Sequence, residues 1–208
     1  MLDSTNRQPR RCCFIGPEYE KMYIDDSIVK EILKKEITNA VEDGITTFVT
    51  GMSKGVDLYG AEIVLDMREH DPRIKLICVA PYKDSNYSWQ SDWKQTYNFV
   101  WAMADFRKII QPQYLNAECY EQRTRFIAAQ CERCIMIYGG EYGDIRTMLD
   151  ACFGENANST IKKLCIHSSE KDYTYLKDKF MNDYKNVKVT DNYVKESSKQ
   201  NGQEVKVN

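Results

Sequence analysis

The segment Gly51-Met52-Ser53-Lys54-Gly55-Val56-Asp57 sets a hydroxyl and a cation between two glycines and ends on an acid. It follows a β-branched run and opens a helical pattern. A strand-to-helix turn leaves free N–H groups and the positive end of the helix dipole at one spot, which suits phosphate or carboxylate. Glycine permits positive φ and lets backbone approach a ligand closely. On this reading Ser53 offers a hydroxyl and Lys54 a charge, while Asp57 caps the helix or takes a ribose hydroxyl. The alternative is a plain strand–helix turn with a good cap, because glycine turns are common.

A second glycine-rich turn, Gly139-Gly140-Glu141-Tyr142-Gly143-Asp144, repeats the logic. It is neither a Walker loop nor G-x-G-x-x-G, and no cofactor is assigned to it. Asp144 is a reasonable cap, but its charge opposes a phosphate at that helix end. The turn therefore holds a less anionic part of a ligand or has lost phosphate binding. Elsewhere, Gly16-Pro17-Glu18 follows the first strand-like run and Pro81-Tyr82 the third. Glu18 is a base, a ribose acceptor or an exposed loop charge; Tyr82 could stack on a base. Arg123 and Arg125 suit bidentate phosphate recognition or else lie on a solvated helix face. Trp89, Trp93 and Trp101 form a stripe that reads as core packing, with Trp89 at a crevice rim as the other option.

The eight cysteines do not form a disulfide framework on this reading. Cys12, Cys13, Cys78, Cys134 and Cys165 sit in apolar runs, where a free thiol behaves as a small hydrophobe. Cys131 and Cys134 make one C-x-x-C with no second pair at zinc spacing, and the two histidines, His70 and His167, are far apart. No metal is assigned.

The elements that must position these residues alternate in type. Strands are expected at Arg11–Gly16, Ile45–Gly51, Ile74–Pro81, Phe106–Ile110, Arg133–Tyr138 and Lys162–His167, with an edge strand at Val187–Thr190. Helices are expected at Asp25–Glu42, with Ile28, Ile32, Ile37 and Val41 near one face, then at Val56–His70, Trp89–Ala104, Ala117–Cys131, Gly143–Phe153 and Lys171–Met181. This alternation implies βαβ units: one Rossmann-like α/β domain, with a mostly parallel sheet and helices on both faces. The domain is expected over 11–190, with a flexible stretch at 1–10 and a polar tail at 191–208. In such sheets ligands bind beyond the carboxyl ends of the strands, where the glycines gather.

The composition sets outer bounds. A chain of 208 residues suits one such domain. With 42% hydrophobic and 29% charged residues it is globular in type. A formal charge of -2 argues against a general nucleic-acid coat, though not against a local basic patch, and nucleic acid is not the expected partner. No apolar stretch reaches the roughly 20 residues of a membrane helix, and the first residues lack a signal-peptide core. A soluble cytoplasmic protein is the expectation.

CCFIG at 12–16, FVTGMSKGVDLYGAEIVL at 48–65, IKLICVAPY at 74–82, and RTRF followed by CIMIYGG resemble the SLOG superfamily. This Rossmann-like group includes the Smf/DprA and Lonely Guy proteins, and the YpsA-like branch is the nearest in pattern. The resemblance covers about residues 10 to 155. It implies a nucleotide-related ligand, such as ADP-ribose or a cyclic ADP-ribose, at Gly16, at Gly51 to Asp57, at Arg123 and at Gly139 to Asp144. It also allows a homodimer, a Lonely Guy-type N-glycosidic hydrolase, or a protein-interaction module in cell-division or stress control. The sequence departs from the branch in three places. T-G-H-R reads Ile15-Gly16-Pro17-Glu18, R-N reads Arg123-Thr124, and the G-T of the last loop reads Gly143-Asp144. The Lonely Guy motif P-G-G-x-G-T-x-x-E is absent, which counts against hydrolysis and favours a binder.

Overall fold

The central runs become strands buried on both faces, whereas the edge strand at Phe106–Gln111 is largely exposed. The computed structural model describes residues 10–141, 143–154, 157–181 and 187–193. The strands are β1 (Arg11–Ile15), β2 (Thr47–Thr50), β3 (Lys75–Tyr82), β4 (Phe106–Gln111), β5 (Arg133–Ile137), β6 (Lys163–Ser168) and β7 (Lys188–Tyr193). They form one sheet in the order β4-β3-β2-β1-β5-β6-β7, and every pairing is parallel. The helices are α1 (Asp26–Glu42), α2 (Val56–His70), α3 (Ser91–Met103), α4 (Glu118–Ala128), α5 (Gly143–Phe153) and α6 (Glu170–Leu176).

The period of two along each strand divides the core. Phe14, Phe48, Leu76 and Ile135 pack with Leu33 of α1, Leu58 of α2 and Val100 of α3. Cys13, Met136 and Leu164 pack on the other face with Ile127 of α4, Leu149 of α5 and Leu176 of α6. The expected α/β architecture with helices on both faces is therefore present. All eight cysteines are free and buried. Truncating a fully buried side chain such as Leu33 to Ala would cost about 2–5 kcal/mol, the lost burial plus the cavity left behind.

Local detail departs from the expectations in instructive ways. The stripe of α1 that is fully buried is Val29, Leu33, Ile37 and Ala40, while Ile28, Ile32 and Val41 flank it half-buried. The helix starts where Asp25 accepts from the Ser27 N–H at 2.9 Å. It stops at Gly44, whose φ of 84° lets Ile45 N–H reach Ala40 O at 2.9 Å. Helix α3 begins at Ser91, so Trp89 lies ahead of it in a turn. After α6 a π-helical turn carries the chain to Met181, and β7 runs to Tyr193, three residues past the expected end. Residues 1–9 and 194–208, most of the expected flexible ends, lie outside the described residues, as does Tyr142.

The chain order explains where a site should be. From β1 the chain winds outward through β2, β3 and β4, then returns to β5 on the other side of β1. The crevice of a doubly wound sheet opens at that reversal, beyond the strand ends.

Candidate functional site

The loop after β2 is held from beneath. Thr50 Oγ1 accepts from Met52 N–H at 3.1 Å and donates to Asp57 O at 3.0 Å. The Asp57 carboxylate accepts from Ser53 N–H at 3.0 Å. Asp57 thus ties the loop to the first turn of α2 and is itself buried. Met52 takes a φ of 64°, a left-handed conformation that these bonds hold in place. Gly55 has a φ of 86°, and a Cβ there would lie 3.2 Å from Tyr19 N. Gly16 is pressed by Val56, so the turns after β1 and β2 interlock.

Arg123 enters from α4 and joins three segments. Its Nη1 donates to Gly51 O at 2.7 Å and to Ser53 Oγ at 3.1 Å, and its Nη2 pairs with Asp144. Thr124 Oγ1 donates to the other Asp144 oxygen at 2.7 Å. Arg123 is only 2% exposed. Two carboxylates, Asp57 and Asp144, therefore face one buried guanidinium. Burial pushes the Asp57 pKa up to about 6; Arg123 opposes that rise and Asp144 adds to it.

Two hollows open above this floor. The larger, about 300 Å³, has Met52, Ser53 and Lys54 from the β2 loop, Pro81 and Ser85 beyond β3, Trp89, Tyr120 and Arg123 from α4, and Glu18 and Glu20 at the rim. The smaller, about 230 Å³, has Gly16, Pro17, Glu18, Lys21, Ser53, Tyr120, Gly143 and Asp144. Glu18, Ser53 and Tyr120 are walls of both. Lys54 Nζ lies 5.5 Å from the Trp89 ring centroid and 2.7 Å from Glu20 Oε1. That contact is the main reason the Glu20 carboxyl is held below its ordinary range.

A family model described as the YspA SLOG family matches residues 19–171, most of the chain. The chain belongs to the YspA SLOG family. It is 26% identical to a UPF0398 protein of Bacillus pumilus over 115 residues, which is 55% of this chain and 62% of that one. A UPF0398 protein of Bacillus thuringiensis is 25% identical over 114 residues, 54% of this chain and 62% of its own length. The matches thus span about three fifths of those relatives. Among solved structures, DNA processing protein A from Helicobacter pylori superposes with a TM-score of 0.51 at 13% identity, covering 82% of this chain and 73% of that one. That structure is described for its single-stranded DNA binding mode. The neighbour shows the shared fold, and membership of the SLOG family fits a nucleotide-related role without reaching as far as ADP-ribose.

The neighbour also overturns one expectation. The charge balance spoke against nucleic acid as a partner, yet a protein of this fold binds single-stranded DNA. Net charge averages over the whole surface, whereas binding depends on local groups, so -2 excludes nothing here. No helix among the described residues is long and apolar enough to cross a membrane.

Within this SLOG crevice the expected residues are partly gathered. Gly16, Glu18, Met52, Ser53, Lys54, Pro81, Arg123, Gly143 and Asp144 line the two hollows. Gly51, Gly55, Val56 and Asp57 shape the loop from below without lining either one. Gly139 is packed under Tyr23, whose hydroxyl donates to Tyr138 O at 2.7 Å, and Gly140 turns the chain at a φ of 116°. Tyr82 is turned toward Tyr114 and Tyr120, with ring centroids at 5.2 Å and 6.1 Å. Arg125 is half-buried and its Nε donates to Glu121 at 2.9 Å, and it lines neither hollow. Tyr142 lies outside the described residues. Sequence reasoning missed Tyr120, Ser85, Glu20 and Lys21. Tyr120 had a signal, since it precedes Arg123 by one helical turn and shares its face.

Proposed function

We propose that this protein is a ligand-binding module that holds a nucleotide-related small molecule in the crevice beyond β1, β2, β3 and β5. The observation that carries this reading is the pair of hollows joined through Glu18, Ser53 and Tyr120, with an aromatic wall at one end and polar groups along the floor. Trp89 and Tyr120 line the larger hollow and supply aromatic surface against which a base could stack, a contact that contributes about 1–3 kcal/mol. Lys54 stands over Trp89 and can leave exposed Glu20 for an anionic group, because surface ion pairs are worth about 0–1 kcal/mol. A micromolar complex needs about 8 kcal/mol, within reach of one stack, several hydrogen bonds and one cation.

Hydrolysis would need Glu18 or Asp57 as its carboxylate; Glu18 lines both hollows but is paired with Lys21 at 3.2 Å, and the position of Asp57 removes it from the hollows. It lies under the loop, tied to Ser53 N–H, and lines neither of the two hollows. Calorimetry against adenosine, AMP, NAD, ADP-ribose and a single-stranded oligonucleotide tests the reading. A micromolar complex with at least one of them, weakened roughly ten-fold or more by Trp89→Ala, is expected. No complex with any of them at millimolar concentration rejects it. Chromatography of the incubated nucleotides should show them intact; released base would move the protein to the hydrolase class.

A further inference from the structure

We infer that Asp144 is a built-in anion occupying the end of the crevice at α5, so that the ligand presents an uncharged hydrogen-bonding group there and not a phosphate. The ligand half of this statement rests on the function proposed above; the occupied anion position does not.

Three donors converge on the Asp144 carboxylate from outside its own helix. Arg123 Nη2 pairs with one oxygen, Thr124 Oγ1 donates to the other at 2.7 Å, and Ser53 Oγ stands 3.4 Å from the first. Asp144 lies in the first turn of α5, where the helix dipole favours negative charge. It also lines the smaller hollow beside Gly16 and Gly143. A cation, two hydroxyls and a helix N-terminus are what a phosphate would require, and the protein's own carboxylate has taken them.

Arg123 itself shows that the position is built for an anion. It is buried, and its Nε has no hydrogen-bond partner. The guanidinium therefore retains donor capacity at a buried place. An incoming phosphate would nevertheless meet Asp144 and Asp57 together, two carboxylates against one guanidinium. At the rim, Lys21 brings no net charge to the α5 end because Glu18 accompanies it at 3.2 Å, and Lys54, paired with Glu20 at 2.7 Å, is the cation that an anionic group can draw on. Of these, Lys54 sits toward the Trp89 end, which leaves the α5 end for a hydroxyl or amide of the ligand.

The test uses the full chain and two variants, Asp144→Asn and Asp144→Thr, with inorganic phosphate as the probe. Thermal unfolding of the natural protein should not respond to phosphate beyond the response to sulfate-free salt of equal ionic strength. At least one variant should be stabilised by phosphate in a saturable way, and Arg123→Met added to that variant should remove the effect. Asn keeps the acceptor for Thr124, and Asp57 can ionise to face Arg123, so folding is expected to survive; a cooperative urea transition checks this. Saturable stabilisation of the natural protein by phosphate, or no response in a variant that folds, overturns the inference. In parallel, Asp144→Asn should shift the preference between AMP and adenosine toward AMP by roughly ten-fold relative to the natural protein, whatever Lys54 contributes to both proteins. An unchanged AMP-to-adenosine ratio also overturns it. If neither nucleoside nor nucleotide binds, the proposed function fails, while the phosphate response of the variants still decides the role of Asp144.

Discussion

Arg123 on α4 and Asp144 on α5 meet across the crevice floor, and the loop after β2 hangs on the same guanidinium. The pair fixes the distance between two helices and the shape of the cavity at once. Breaking it should therefore be felt in stability as well as in binding.

Arg123→Met leaves Asp57 and Asp144 without their shared cation. A loss of about 3 kcal/mol is expected, in the range for removing one partner of a buried pair. The double variant Arg123→Met/Asp144→Asn should lose less than the sum of the single changes, by about 1 kcal/mol or more. Urea unfolding of the four proteins gives the cycle. Strict additivity would show that the two groups do not interact in solution.

Asp57 gives a pH signature. Its folded pKa of about 6 lies above its ordinary 3.8, so the folded state binds the proton more tightly than the unfolded state. The associated stability is fully present below about 3.8 and is lost as pH rises through about 6. Asp57→Asn keeps an acceptor for Ser53 N–H and removes the titration. Its stability relative to the natural protein should therefore improve by roughly 2 kcal/mol between pH 4 and pH 7. Urea midpoints at the two pH values check this; an unchanged difference would refute it.

Three glycines should rank by their surroundings. A Cβ at Gly60 would lie 2.7 Å from the Phe14 ring, and one at Gly55 3.2 Å from backbone at a φ of 86°. Each Gly→Ala change there should cost about 1–3 kcal/mol. Gly143 has open space around it and a φ of 44°, so Gly143→Ala should cost only about 1 kcal/mol of backbone strain. Chemical denaturation of the three variants gives the order, and a Gly143 variant at the bottom of it would contradict the packing described.

Lys54 separates binding from folding. Its partner Glu20 has a side chain that is 56% exposed, so Lys54→Ala should change stability by under about 1 kcal/mol. The same substitution should weaken a ligand carrying a phosphate more than one without it. Calorimetry with AMP and adenosine compares the two, and equal losses would place Lys54 outside the anionic end of the ligand.

How far the residues alone led can be seen in particular elements. The run of Cys12 to Gly16 and the pattern from Val56 to Met67 declare a buried strand and an amphipathic helix, because burial imposes periods of two and 3.6. On α1 the expected face and the buried stripe share Ile37, while Val29 and Leu33 are buried in place of Ile28 and Ile32, because adjacent apolar residues look alike in sequence and only the sheet decides which turns inward. Lys54 and Ser53 were legible through the glycines around them. Tyr120 and Ser85 were not, because they come from segments with no glycine turn of their own.

By itself the sequence determined the alternation of strands and helices, the single parallel sheet and the loops that rise at its carboxyl edge, all of which follow from local pattern and from the handedness of crossovers. Only the tertiary structure decided that Asp144 turns back onto Arg123 and Thr124, that Asp57 lies beneath its loop, and that Trp89 escapes the helix to line the cavity. Those outcomes depend on which charges and rings are brought within a few ångströms across elements far apart in the chain, and spacing along a sequence carries no record of such distances.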